Sequence, residues 1–213
     1  HSTLLFMAFP RNSSRSAFTL VELLVVLGVM AIFVGVFATA LRPGSPTVAV
    51  EGAQSQLASL LTQARGVAVL KNSPARLIIH NDISDSERYL RYVGIVYWND
   101  EDSEWEPATD GITLPQGVYA YVDGAANMEQ GFSLEYISND SASYAFIEFN
   151  ENGTVSPISG DSPRIAVSSA DPNMDGTGAL ISVTRNENNI RGAILRQYGS
   201  FVLLNEPSAF PST

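Results

Sequence analysis

The sequence of 213 residues contains no cysteine and only two histidines, His1 and His80. The absence of cysteine excludes disulfides, thiolate zinc sites and cysteine nucleophiles. With two histidines, histidine-based metal centres and Ser-His-Asp triads are nearly excluded as well. Basic residues are also few, because 12 Lys and Arg stand against 22 Asp and Glu for a net charge of -10. A chain this acidic has no positive field to displace phosphate counterions, so we expect no nucleic-acid partner.

One long segment lacks charge almost entirely. Residues 18–41 read FTLVELLVVLGVMAIFVGVFATAL, and Glu22 carries the single charge in this run. As a helix the run would be about 36 Å long, and a bilayer core of about 30 Å needs around 20 apolar residues. A buried core helix usually keeps a polar face, and this run has none. We therefore predict a single membrane-spanning helix at 18–41.

The residues before this helix set its orientation. Residues 1–17 contain Arg11 and Arg15 and no acid, and Met7 would give a shorter leader with the same two arginines. The positive-inside rule then keeps this end in the cytoplasm and exports the rest of the chain. The apolar run is too long for a secretory signal peptide and no A-x-A pattern follows it. An acid such as Glu22 near one end of an intramembrane helix costs about 2 to 3 kcal/mol, so it needs a function and a partner.

Residues 16–24, SAFTLVELL, resemble the class III signal of type IV pilins and type II secretion pseudopilins. The resemblance implies that a prepilin peptidase cuts between Ala17 and Phe18, removes residues 1–17 and methylates the Phe18 amine. Ala17 stands where the family usually has Gly. The resemblance also implies that Glu22 pairs with the terminal amine of a neighbouring subunit and so sets the axial register during assembly. The implied partners are other pilin or pseudopilin subunits, the peptidase, an inner-membrane assembly platform and membrane lipid.

The rest of the chain predicts an α+β, pilin-like head. Two prolines and a glycine between Arg42 and Pro46 oppose a continuous helix, so we predict a break at 42–47. Apolar residues at spacings of 3 and 4 between Val48 and Leu70 predict an amphipathic helix that packs on an antiparallel sheet. Residues 60–79 resemble the matching stretch of H-type minor pseudopilins, the group that the chain resembles most.

Short β-branched or aromatic runs bounded by turn residues predict strands beyond Pro74. The strands are predicted at 76–80, 92–98, 117–122, 132–137, 144–149, 164–168, 180–184, 193–197 and 201–204. Hairpin turns are predicted at 150–153, at 186–189 and at Gly199. We therefore expect a head at 48–204 and a loose tail at 205–213.

Two acidic segments are candidate cation sites. Asp171, Asn173 and Asp175, followed by Gly176, match the first half of an EF-hand-like calcium loop, but Ser182 stands where the bidentate Glu is expected. A plain turn rich in Asp and Asn explains the same residues. The acidic run at 99–106 reads either as a solvated loop or as a divalent-cation site. Apart from this possible calcium ion, we expect no cofactor.

The sequence favours a structural subunit over an enzyme. It contains no G-x-S-x-G, no Walker loop and no paired histidines. We predict a minor pseudopilin of a type II secretion system, held in the bacterial inner membrane with its head in the periplasm and assembled into a short pseudopilus that drives protein export. One alternative is a minor pilin of a type IV pilus for adhesion, motility or DNA uptake. The other is a membrane-anchored carbohydrate-binding or hydrolytic domain, in which the aromatic residues between Tyr89 and Trp105 would form a sugar surface rather than pack.

Overall fold

The computed structural model describes residues 19–40, 45–123, 126–129, 142–156 and 162–210. The chain divides into two units, His1–Pro43 and Gly44–Thr213. The first unit contains helix α1, Leu20–Ala40, within the helix predicted at 18–41. Among the described residues, no helix combines the length and the apolar character that a membrane crossing requires.

The second unit, the head, begins with helix α2, Pro46–Lys71. Ser45 caps it, because the Val48 N–H donates to the Ser45 carbonyl at 2.9 Å and lies 3.4 Å from its hydroxyl. Pro46 occupies the first helical position, where the N–H that proline lacks would have no intrahelical partner anyway. The break predicted at 42–47 is therefore wrong at its end, since the helix already starts at Pro46. Residues 41–44 lie outside the described residues.

In the described residues, strands form two antiparallel sheets. Sheet A contains β1 (Ala75–His80), β2 (Tyr92–Asn99), β3 (Glu104–Pro107), β4 (Ile112–Thr113), β6 (Ala126–Glu129) and β7 (Ser143–Phe149). Sheet B contains β5 (Val118–Asp123), β8 (Arg164–Met174), β9 (Leu180–Leu195) and β10 (Phe201–Leu204). The strand orders are β3-β2-β1-β7-β6, with β4 beside β2, and β10-β9-β8-β5.

Helix α2 packs against the inner faces of both sheets. Its buried face consists of Val50, Ala53, Gln54, Leu57, Leu60, Leu61, Ala64 and Ala68, at the predicted spacings of 3 and 4. The apolar side chains of this face join Ile95 and Ile147 of sheet A and Val167 and Leu195 of sheet B in one core. The predicted α+β class, a helix on antiparallel sheet after an N-terminal helix, is confirmed.

The largest difference from the predicted strands lies in β9. The sequence predicted two strands, 180–184 and 193–197, with a hairpin turn at 186–189. The structure has one strand across this turn, because β8 pairs with it on both sides, at Ala170 with Arg185 and at Ser168 with Ile190. The four residues 186–189 therefore form a bulge opposite Ser169, whose hydroxyl accepts a hydrogen bond from the Asn189 amide at 2.9 Å. The predicted turn at 186–189 is wrong, whereas the turn at 150–153 is confirmed by the Gly153 N–H to Asn150 carbonyl bond of 2.7 Å.

Smaller differences occur at loops and at the end of the chain. Strand β3 lies within the acidic run, and β4 and β6 were not predicted, while the predicted strand at 132–137 lies outside the described residues. Residues 205–213 were expected to be loose, but a 3-10 turn, Pro207–Ala209, follows β10. Phe210 is only 8% exposed and packs with Ala166 and Ile190, so residues 205–210 cover one face of sheet B. Residues 211–213 lie outside the described residues.

Candidate functional site

Thr19 fixes the start of helix α1 and places Glu22 in its first turn. The Thr19 hydroxyl accepts a hydrogen bond from the Glu22 N–H at 3.2 Å, and the Thr19 carbonyl accepts one from the Leu23 N–H at 3.1 Å. Thr19 is therefore the N-cap and Glu22 stands three residues later, the spacing of a capping box. A carboxylate here also benefits from the positive end of the helix dipole. The T-x-x-E spacing before an apolar run signals this role of Thr19, which was not predicted above.

The surface of helix α1 beyond Glu22 is apolar. Between Leu20 and Phe33 the large hydrophobic side chains are 46% to 79% exposed, and they point to all sides of the helix. Contiguous apolar surface of this size marks a site that contacts lipid or other proteins. The candidate site is thus a helix with one carboxylate in its first turn and an apolar surface beyond it.

The predicted cleavage site, Ala17 and Phe18, lies outside the described residues. The structure therefore places Glu22 at the start of α1 and leaves the pairing of Glu22 with a terminal amine as a prediction. It places the calcium candidates elsewhere, on the head.

The calcium candidates are divided between strand β8 and the turn that follows it. Asp171 and Asn173 lie in strand β8, paired with Thr184 and Ser182, and alternate strand residues stand about 6.6 Å apart. Asp175 closes the turn between β8 and β9, where its Oδ1 accepts from the N–H groups of Thr177 and Ala179, both at 2.8 Å. The Thr177 hydroxyl also donates to Oδ1, at 2.6 Å. These hydrogen bonds lower the pKa of Asp175, and the bond from the Thr177 hydroxyl has the largest effect. At Asp175 the geometry favours the alternative given above, a plain turn rich in Asp and Asn. Calcium binding stays an untested prediction.

The acidic run forms the exposed turn 100–103 and most of β3 in the hairpin of β2 and β3. Ligand atoms of Asp102, Glu104 and Glu106 lie within 4.8 Å of one another. Glu106 accepts hydrogen bonds from the Tyr97 hydroxyl and the Asn99 amide, which lower the pKa of its carboxyl group. Asn99 also donates to Asp102 at 2.9 Å. These bonds hold Asp102 and Glu106 in place, and the pairing of Glu104 with Asn99 places the third acid.

The aromatic residues nearby are engaged in packing within the head. The rings of Trp98 and Trp105 meet edge to face at 5.6 Å, and the Arg76 guanidinium lies 4.0 Å from the Trp105 ring and 4.0 Å from the Phe146 ring. The Arg76 Nε also bonds to Glu148 at 2.7 Å. These edge-to-face and cation–π contacts stabilise the sheet face and leave less ring surface for a sugar.

Comparison with known proteins identifies the N-terminal segment. Residues 12–38 match the family model described as the prokaryotic N-terminal methylation motif. None of the curated proteins matches the sequence. Among solved structures, the chain is similar to the minor pseudopilin EpsH from the type II secretion system of Vibrio cholerae, with 12% identity and a TM-score of 0.45 over 76% of this chain and 97% of EpsH. It is also similar to the type IV minor pilin FimU of Pseudomonas aeruginosa, with 18% identity and a TM-score of 0.42 over 75% of this chain and 94% of FimU.

Structural similarity at this level says nothing about function, so the class of the protein is carried by the motif and by the order of its elements. A methylation motif, an apolar helix with one acid in its first turn, and a second helix on antiparallel sheet are the elements that the sequence-based prediction of a pilin-like fold requires. The predicted resemblance of the N-terminal segment to the signal of type IV pilins and pseudopilins is thereby confirmed for residues 12–38.

Proposed function

We propose that this protein is a minor pseudopilin of a type II secretion system, which acts by assembly and catalyses no reaction. The observation that carries the proposal is the methylation motif at residues 12–38, with Glu22 as the only charge in the helix that follows. A residue with this cost in an apolar helix is retained for a function. The alternative, a minor pilin, uses the same motif, so the choice between the two rests on experiment.

The proposed mechanism begins in the inner membrane. The apolar run at 18–41 holds the precursor, with Arg11 and Arg15 in the cytoplasm and the acidic head in the periplasm. Cleavage between Ala17 and Phe18 creates a positive amine just before the N-cap residue Thr19. The Glu22 carboxylate of one subunit then meets the amine of its neighbour, because a charge in an apolar environment is tolerated when an opposite charge pairs with it.

The apolar surface of α1 supports assembly after this pairing. Once the helix leaves lipid, its exposed leucines, valines and Phe33 are stabilised only by contact with other helices. At about 25 cal/mol per Å² of apolar surface removed from water, such contacts are the main driving force for a helical filament core. Glu22 then sets the register, and the apolar contacts supply the stability.

Variants at two positions test the mechanism. Glu22→Ala and Glu22→Gln should insert into the membrane normally but be absent from the filament fraction, whereas Glu151→Ala, in an exposed turn of the head, should assemble like the wild type. Ala17→Asp should block processing, so the chain should keep its precursor mass. Normal filament incorporation of both Glu22 variants would contradict the pairing.

Deletion of the gene in its host distinguishes the two assembly functions. Loss of exported enzymes from the medium, with pilus functions intact, is the result expected of a pseudopilin. Loss of surface filaments or twitching with normal secretion would replace this proposal by the minor pilin. A glycan array and a hydrolase screen on the head should both be negative.

A further inference from the structure

His80 is a fully buried histidine that the proposed assembly does not use. It is the last residue of β1, it pairs with Tyr144 of β7, and its side chain is 0% exposed. Its ring meets the Tyr144 ring edge to face at 5.3 Å. Within the described part of the chain, neither ring nitrogen has a hydrogen-bond partner. A ring in this position is stable as the neutral form, because a charge there would be neither hydrated nor hydrogen-bonded.

The segment 82–91, which we call the flap, follows His80 and returns to it, since the Leu90 N–H donates to the His80 carbonyl at 2.7 Å. Its charged groups that act on His80 are Asp82, Asp85 and Arg88. Asp85 is already paired with Arg88 at 2.7 Å, and the Asp82 Oδ1 accepts from the Ser84 hydroxyl at 2.7 Å. From the sheet, the phenol groups of Tyr92 and Tyr144 lie nearby. Both are neutral in the pH range in which a histidine titrates.

The closed flap also contains a strained residue. Leu90 has φ 55°, a left-handed conformation that costs free energy for a bulky side chain. Two backbone bonds hold it there: the Leu90 N–H donates to the His80 carbonyl and the Ala120 N–H donates to the Leu90 carbonyl, both at 2.7 Å. One of the two bonds that hold the strained Leu90 backbone is therefore made to the carbonyl of the buried histidine itself. Anything that moves His80 weakens the bond that keeps Leu90 in this conformation.

We propose that the flap is an acid-sensitive element, closed while His80 is neutral and opened when His80 takes up a proton from solvent. In the open form water reaches the imidazolium, the carboxylates of Asp82 and Asp85 can approach it, and Leu90 is free to leave its left-handed conformation. Opening exposes the apolar cluster around Ile78 and Tyr144 on the outer face of sheet A.

The direction of the pH dependence follows from burial. Burial lowers the pKa of His80 below its ordinary 6.5. The closed form is thus fully favoured above pH 6.5 and loses its advantage as the pH falls through the lowered pKa. Between these two pKa values the ratio of closed to open flap should fall about tenfold per pH unit, and below the lower one it should be constant.

Hydrogen exchange on the full chain in detergent, from pH 7.5 to pH 5.0, tests the proposal. After correction for intrinsic exchange rates, protection of the flap amides should fall up to about tenfold per pH unit below 6.5, while β1 and β7 stay protected. His80→Phe, which keeps an edge-on ring, and His80→Leu, which is smaller, should both remove this dependence. His1→Gln changes the only other histidine and should leave it unchanged.

Two results of the exchange experiment would overturn the proposal. One is a folded His80 variant whose flap loses as much protection on acidification as the flap of the wild type. The other is a simultaneous loss of protection in the flap and in β1 and β7, since this would be global unfolding. The NMR signal of the His80 ring gives an independent measurement, because protonation without a change in flap protection would also refute the inference.

Discussion

Gln54 offers the sharpest test of how the head is held together. It lies on the buried face of α2 and is 7% exposed. Its Nε2 lies 2.9 Å from the Gly192 carbonyl of β9, 3.0 Å from the Asn205 side-chain oxygen and 3.1 Å from the Leu204 carbonyl of β10. An amide nitrogen has only two hydrogens, so three acceptors share two donors. This single side chain therefore joins the helix to two strands of sheet B.

We expect Gln54→Met to destabilise the head by about 2 to 4 kcal/mol. Methionine keeps the length of the side chain and removes the donor, so the Gly192 oxygen loses a buried hydrogen bond at about 1 to 3 kcal/mol and the part-buried bonds to Leu204 and Asn205 account for roughly 1 kcal/mol more. Added apolar burial offsets part of this cost. Gln56→Met is the matched control, because Gln56 is exposed on the same helix and should change stability by no more than about 0.5 kcal/mol.

Urea unfolding of residues 45–213, followed by the fluorescence of Trp98 and Trp105, measures both variants. With a slope of about 1 to 3 kcal/mol per molar urea, a loss of about 3 kcal/mol moves the midpoint by about 1 to 3 M. If Gln54→Met and Gln56→Met had the same midpoint as the wild type, Gln54 would not anchor α2 to sheet B and the reasoning would be refuted.

Two further predictions concern the head. A Cβ at Gly192 would stand 2.1 Å from the Ile165 carbonyl oxygen, so Gly192→Ala should force β8 and β9 apart and destabilise the head by about 3 kcal/mol or more. At Gly66, inside α2, a Cβ meets nothing within 4 Å, so Gly66→Ala should stabilise the head by about 0.5 to 1 kcal/mol. Equal urea midpoints for the two variants would contradict this packing. Calcium at millimolar concentration should leave the melting temperature of the head unchanged, since Asp175 already bonds within its own turn; an increase that Asp175→Ala abolishes would restore the calcium site.

The parts of the fold that follow from local pattern were predictable. The spacing of Leu57, Leu61, Ala64 and Ala68 identifies the buried face of α2, because a helix repeats every 3.6 residues whatever it packs against. Glu22 could be selected as the candidate assembly residue for a similar reason, since a lone charge in an apolar run is visible in the sequence itself.

The parts that depend on distant partners were not predictable. Residues 186–189 contain the same asparagines that a hairpin turn would use, and only the continued pairing of β8 with β9 turns them into a bulge. Residues 104–107 contain two acids and a proline and have no strand pattern, yet the pairing of Trp105 with Trp98 adds them to sheet A. In both cases the local sequence is compatible with two structures, and a strand far away in the sequence decides between them.

The mass of the mature N-terminus, measured on protein recovered from cells that contain a prepilin peptidase, tests the central proposal most directly. We predict a chain that begins at Phe18, carries a methyl group on its amine and retains the apolar helix with Glu22. A chain that still begins upstream of Phe18, or that has lost residues 18–41, would contradict both the cleavage and the assembly mechanism.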